Sequence, residues 1–282
     1  MPSGYTLTRQ WQPSPRRLGV SYSVTGPNLQ IFVIPQVNPD GRHHSQTVKA
    51  MWRKNRNPDD AGGRPSCVGV DLNRNYNFLW DFPKHFSPDA DVATSDDPCD
   101  RSQTYRGRSP TSERETRNVV WLMDQNPLIR WSIDLHSYGK LILYPWGDDE
   151  NQTTNPDMHF NNPVYDGRRG TAGESGYRAY IKQADLKTFK ALAQEMARAI
   201  KAVRGQVYEP QQGFALYPTS GTVDDWAYSR HLTDPAKPKV WAYTLEWGEE
   251  FQPPWTEMEM IIEDVSAGLV AFAAGALRRS GV

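Results

Sequence analysis

The stretch DLHSYGKLILYPWG, residues 134–147, decides how this chain is read. It predicts a strand that ends in one histidine, His136, followed by a second strand over Leu141–Tyr144. A histidine at the C-terminal end of a buried strand is where an α/β enzyme would hold a metal. One histidine does not make a catalytic zinc site, which takes three protein ligands and keeps a position open for water or substrate. The fold and the function therefore turn on what surrounds this stretch.

Outward from it, elements alternate. Residues 1–28 carry Pro, Ser, Arg and Gly without a period and are expected to be a loop or disordered arm. Leu29–Ile34 reads as a strand stopped by Pro35 and an Asn38-Pro39-Asp40-Gly41 turn. Residues 54–68 and 77–110 read as long loops. Ser112 and Glu115 have capping-box spacing before a helix whose apolar face is Val119, Val120, Leu122 and Met123, ended at Asn126-Pro127. Ile129–Leu135 continues into the opening stretch, and the polar residues 148–180 read as an inserted loop. Asp185 is expected to cap a helix with Leu186, Phe189, Leu192, Ala193, Met196 and Ile200 on one face. A strand over Val240–Leu245 follows, then a last helix opened by a Thr256/Glu259 capping box. The pattern predicts one α/β domain over 29–282, a central mixed, mostly parallel sheet flanked by helices. Active sites in such sheets lie beyond the carboxyl ends of the strands, where the Asn38–Gly41 turn, His136 and Glu246 fall.

Bulk composition excludes more than it identifies. Over 282 residues, 32 Lys and Arg balance 33 Asp and Glu, which leaves no general nucleic-acid surface and no acidic tail. No apolar run is expected to reach membrane-spanning length, and the first residues lack the apolar stretch of a signal peptide. The two cysteines allow one disulfide or two free thiols. These features predict a soluble globular protein.

Taken singly, the candidate residues have bland readings. His136 could be a hydrogen-bonded histidine at a strand end, Glu246 a buried partner for an arginine, and Arg53 and Arg74 solvated cations. The run from Gly69 to Asn75 could be a turn built on Asx side chains. Taken in order, NPDG (38–41), WRKNR (52–56), GVDLNRNY (69–76), YRG (105–107), DLHSYGKLILYPWG (134–147), YPTSGTVDDWAY (217–228) and YTLEWGE (243–249) resemble the zinc metallocarboxypeptidases of the pancreatic carboxypeptidase A/B type. The resemblance runs from Leu29 to the C-terminus.

What it implies is specific. His136 would be the last zinc ligand, and Glu246 the carboxylate that activates the metal-bound water and passes its proton to the leaving amine. Arg53 would polarise the scissile carbonyl. Asn73 and Arg74 would grip the free C-terminal carboxylate of a peptide, a task that suits the planar fork of arginine. Tyr217 would close over the bound residue, and Ser137 and Tyr138 would line substrate subsites. Asp224 matches the pocket floor, where an acidic residue goes with C-terminal Lys or Arg; alternatively Asp224 or Asp225 merely caps a turn. Cys67 and Cys99 match the disulfide cysteines of the family, which implies a secreted lineage. The partners implied are peptide C-termini, for a chain expected to be a monomer that binds neither nucleic acid nor membrane.

The family takes its first histidine and its glutamate ligand from a His-x-x-Glu loop upstream of the strand before NPDG. The histidines here are His43, His44, His85, His136, His159 and His231, and none has Glu three residues later. His43 and His44 lie on the wrong side of NPDG and point in opposite directions if extended. Asp71, which supports the first histidine in the family, is expected to lack that partner. Three expectations follow: an N-terminally incomplete carboxypeptidase, a pseudoenzyme that binds carboxylates without tightly held zinc, or a fragment with an exposed sheet edge that does not fold alone.

Overall fold

The computed structural model describes residues 6–10, 21–25, 29–173 and 176–280. Its main sheet has four strands, β4 (Trp131–Ser137), β9 (Trp241–Trp247), β5 (Leu141–Tyr144) and β8 (Glu209–Gln212), side by side in that order. β4 runs parallel to β9 and β5 parallel to β8, whereas β5 is antiparallel to β9. This is the mixed, mostly parallel sheet that the alternating pattern predicts. Its register sets His136 directly opposite Glu246 at the carboxyl ends of β4 and β9.

A second sheet joins β1 (Thr6–Gln10), β2 (Ser21–Thr25) and β3 (Gln30–Val33), antiparallel throughout. Residues 6–10 and 21–25 are thus strands and not the loop expected over 1–28. The ladders join consecutive segments, and Ser21–Thr25 does alternate polar and apolar residues, a short period set among Pro- and Arg-rich neighbours. The remainder of that arm lies outside the described residues. A third, two-stranded sheet pairs β6 (Asn151–Gln152) with β7 (Ala179–Tyr180).

The helices are α1 (Pro39–Thr47), α2 (Phe82–His85), α3 (Arg114–Gln125), α4 (Gln183–Arg204), α5 (Val223–Thr233) and α6 (Trp255–Arg279). The NPDG turn is in fact the start of α1. Asn38 is its N-cap, its Oδ1 accepting the Gly41 N–H at 2.9 Å, and Pro39 sits where its missing N–H costs nothing. Neither expected capping box forms. Ser112 bonds the neighbouring Glu113 carboxylate, and Thr256 lies inside α6 behind Pro254. Asp185 does not cap α4; it is buried three residues in, accepting from the Tyr228 hydroxyl at 2.6 Å and from Lys239. For Asp185, tertiary partners outcompete the local backbone for the side chain.

α4 buries Phe189, Leu192, Ala193, Met196 and Ile200 completely, a stripe at helical spacing against β5 and α6. α6 packs along α4, with Gly268 against Ile200 and Gly275 against Leu192. The run within α6 has a mean hydropathy of 1.7, so one helix is long and apolar enough to cross a membrane by composition, contrary to the sequence expectation. Its small residues serve helix packing, and its buried Asp264 is paired with Arg204 at 2.7 Å. The 148–180 segment is largely the irregular loop expected, carrying only β6, β7 and a short 3-10 turn, but it folds around a buried interior. Arg169, Asp148 and Asp149 are fully buried within it, and Trp146, Phe160 and Tyr177 pack in the core.

Candidate active site

One cavity opens at the carboxyl ends of β4 and β9. It is lined by His136 and Glu246 from those strands, by Arg53, Asn73 and Arg74 from the loops before α3, and by Tyr217, Asp224 and Asp225 from the segment around α5. Residues scattered over two-thirds of the sequence meet there. Ser137 and Tyr138 are not part of this lining. Tyr138 is half exposed and meets Phe251 edge-on at 4.6 Å between ring centres.

On β4, Asp134 and His136 share a face because side chains two apart point the same way. The Asp134 carboxylate lies 2.8 Å from His136 Nε2, and His136 Nδ1 is turned towards Glu246 Oε1 at 3.9 Å. Burial works against a charged imidazole, but Asp134 and then Glu246 outweigh it, and the His136 pKa rises to about 9. Burial holds Glu246 above the usual carboxylate range, with His136 and Arg53 pulling back.

Asp71 has a partner after all. Its Oδ2 accepts from Arg53 Nε at 2.7 Å, and its Oδ1 from the Asn73 N–H at 3.1 Å. Burial disfavours its charge, yet Arg53 and Arg74 bring its pKa below normal. The same pair, led by the Asp71 charge, raises that of Arg53. In place of a histidine, the side-chain partner of Asp71 among the described residues is Arg53.

Asn73 and Arg74 are held so that particular donors stay unspent. Asn73 Oδ1 accepts from the Val223 N–H at 2.9 Å, which fixes the amide with its NH2 group outward. Arg74 is 2% exposed; its Nε donates to the Ala93 carbonyl and its Nη1 to the Asn73 carbonyl at 2.7 Å. Its Nη2 has no hydrogen-bond partner among the described residues.

Asp225 is 1% exposed and both its oxygens accept from the Gly147 N–H, at 3.2 and 3.1 Å, while the Thr222 hydroxyl donates to it at 3.0 Å. Asp224, beside it in the first turn of α5, lines the cavity. Burial raises both carboxyls, and Asp225 is pushed well up by burial and then by the Asp224 charge. Tyr217 is 39% exposed at the cavity mouth, following the short 3-10 turn Gly213–Ala215.

Cys67 and Cys99 form a disulfide. Beneath it the fully buried Lys54 donates to the carbonyls of Cys67, at 3.3 Å, and Pro98, at 2.6 Å. Burial lowers its pKa to about 8.

The sequence model of the zinc carboxypeptidase family matches residues 25–268. This chain belongs to the zinc carboxypeptidase family. It is 31% identical over 205 residues to carboxypeptidase A4 of Mus musculus, covering 72% of this chain and 38% of that protein. It is 31% identical over 202 residues to carboxypeptidase B of Astacus astacus, covering 71% and 52%. The chain thus spans between about two-fifths and one half of these relatives. Among solved structures, bovine thrombin-activatable fibrinolysis inhibitor in complex with tick carboxypeptidase inhibitor superposes with a TM-score of 0.64 at 21% identity, covering 89% of this chain and 70% of that one. At that identity the likeness concerns the fold.

The family name carries zinc, and the donor set can be tested against it. Among the described residues no group of three or more His, Cys, Asp or Glu side chains is arranged to hold a metal ion. His136 offers one ring nitrogen, and no second histidine faces it. The described set does not fit a resident zinc. Sequence reasoning missed Asp134, although its spacing two residues before His136 on a strand was a usable signal. It read Asp225 only as a possible turn cap and gave no role to Gly147, which donates to Asp225 from 78 positions away.

Proposed function

We propose that this chain recognises the C-terminal residue of a peptide, the recognition half of carboxypeptidase hydrolysis. Asn73 and Arg74 bind the terminal carboxylate, Tyr217 covers the bound residue, and Asp224 receives a Lys or Arg side chain. Arg53 faces the scissile carbonyl, and Glu246 is the general base. Ser137 and Tyr138 border the outer subsites. The observation that supports this reading most is the unspent pair of donors, the Asn73 amide and Arg74 Nη2, beside the same cavity as two buried carboxyls. A carboxylate ligand would satisfy those donors bidentately, and a basic side chain would offset the desolvated acids. The Cys67–Cys99 disulfide supports residence in an oxidising compartment.

The test is calorimetric titration of the protein with benzoyl-glycyl-arginine, its C-terminal amide and benzoyl-glycyl-phenylalanine. The free arginine acid should bind at least about tenfold more tightly than the amide, a difference of roughly 1.4 kcal/mol. Asp224→Ile should reverse the order of arginine and phenylalanine. Equal affinity for acid and amide would overturn the carboxylate reading, and an unchanged side-chain order would remove Asp224 from the pocket floor.

The single histidine among the described donors favours a second reading, a carboxylate-binding protein without turnover. Release of free arginine from the same peptide by the purified 282-residue chain in zinc-containing buffer would exclude it.

A further inference from the structure

Two parts of the cavity wall share one short segment that takes no part in binding. The carbonyl of Ala93 accepts from Arg74 Nε, and the N–H of the same residue donates to the carbonyl of Pro218 at 2.9 Å, next to Tyr217. One residue on, Thr94 Oγ1 accepts from the Ser220 N–H at 3.4 Å and from the Ser220 hydroxyl at 3.1 Å. Both side chains are buried, Thr94 at 7% and Ser220 at 0% exposure. From there the chain is tied down again: Ser95 pairs with the Thr104 and Arg106 backbone, and Tyr105 accepts the Asp71 N–H at 2.8 Å. The disulfide to Cys99 closes the same loop onto Cys67.

We propose that Ala93–Thr94 is a positioning strap, which sets the guanidinium of Arg74 and the Tyr217 loop at a fixed separation and so measures the terminal carboxylate between them. This rests on the reading of the cavity as a carboxylate site. The physical reason is that two of the three Arg74 nitrogens are occupied by backbone carbonyls, one of them Ala93. The direction of the free Nη2 is therefore inherited from wherever Ala93 sits. Proline 218 leaves the Tyr217 loop a carbonyl anchor there, and the buried Thr94–Ser220 pair prevents the strap from sliding along it. Thr94 touches neither the cavity nor any ligand in it, so its role is positioning.

Thr94→Val keeps the shape of the side chain and deletes the hydroxyl. The wild-type protein, Thr94→Val and Thr94→Ser are titrated with benzoyl-glycyl-arginine and its amide, with melting temperatures recorded. Affinity of Thr94→Val for the free acid is expected to fall about three- to tenfold, the worth of one hydrogen bond. Its affinity for the amide stays unchanged, and Thr94→Ser restores the acid-over-amide ratio. An unchanged ratio in Thr94→Val, or an equal loss for both ligands, overturns the strap. If the wild type itself does not prefer the acid, the carboxylate reading fails first and the strap falls with it. Ser220→Ala removes the same hydroxyl contact from the other side and serves the same comparison if Thr94→Val does not fold.

Discussion

Gly221 shows how closely single residues are fitted at the cavity wall. It has φ +65°, and a Cβ placed on it would sit 2.2 Å from the Arg74 carbonyl oxygen. Its N–H donates to the Phe78 carbonyl at 2.8 Å and its carbonyl accepts from Tyr76 at 3.0 Å. Neither the backbone conformation nor the space suits a side chain. Gly221→Ala is therefore expected to cost about 1–3 kcal/mol of stability by overpacking alone. It should also weaken binding of a free C-terminal carboxylate, because Arg74 must shift. Chemical denaturation and titration measure the two effects, and a variant as stable as wild type would show that the wall yields.

At the scale of elements, the segment between β5 and α4 has a pH signature. Burial and then the neighbouring Asp148 raise the Asp149 pKa to about 7, while burial raises that of Asp148 to about 6 against the pull of Arg169. Between the unfolded value of 3.8 and these folded values the native state holds more protons than the unfolded chain. The contribution of these groups is thus fully present below pH 4 and is lost as pH rises through about 6 to 7. Asp149→Asn cannot ionise, so its stability relative to wild type should climb between pH 5 and pH 8 in urea melts. A gap that stays constant across that range would mean Asp149 is ionised in the folded state throughout. The sequence suggested none of this, since a run of polar residues reads the same whether it is solvated or folded around a buried Arg169. The regular elements were far more legible. The α4 stripe and the strands at 131–137, 141–144 and 241–247 were visible because burial of one face forces a period.

For the molecule as a whole, the irregular half depends on cross-links more than on ladders. The disulfide spans 32 residues and closes the loop that carries Asn73, Arg74 and Ala93. Loop-closure entropy for that span corresponds to about 3–4 kcal/mol. Replacing both cysteines by alanine should lower the unfolding free energy by about that amount. A larger relative loss of affinity for the free C-terminal acid than for its amide is also expected, because the loop that bears Ala93 loosens. Denaturation with and without reductant, compared between wild type and the double variant, checks the first expectation.

The alternating elements, the mixed sheet and the ordered motifs that mark the zinc carboxypeptidase family were legible in the residues alone. They were so because periodic burial and fixed chemical spacing are local properties of a chain. That Asp71 holds Arg53, that Asp134 holds His136, and that Thr94 meets Ser220 across 126 positions emerged with the folded chain. Such partners are chosen by which buried donor would otherwise go unpaired, and that depends on packing the whole chain has to complete first.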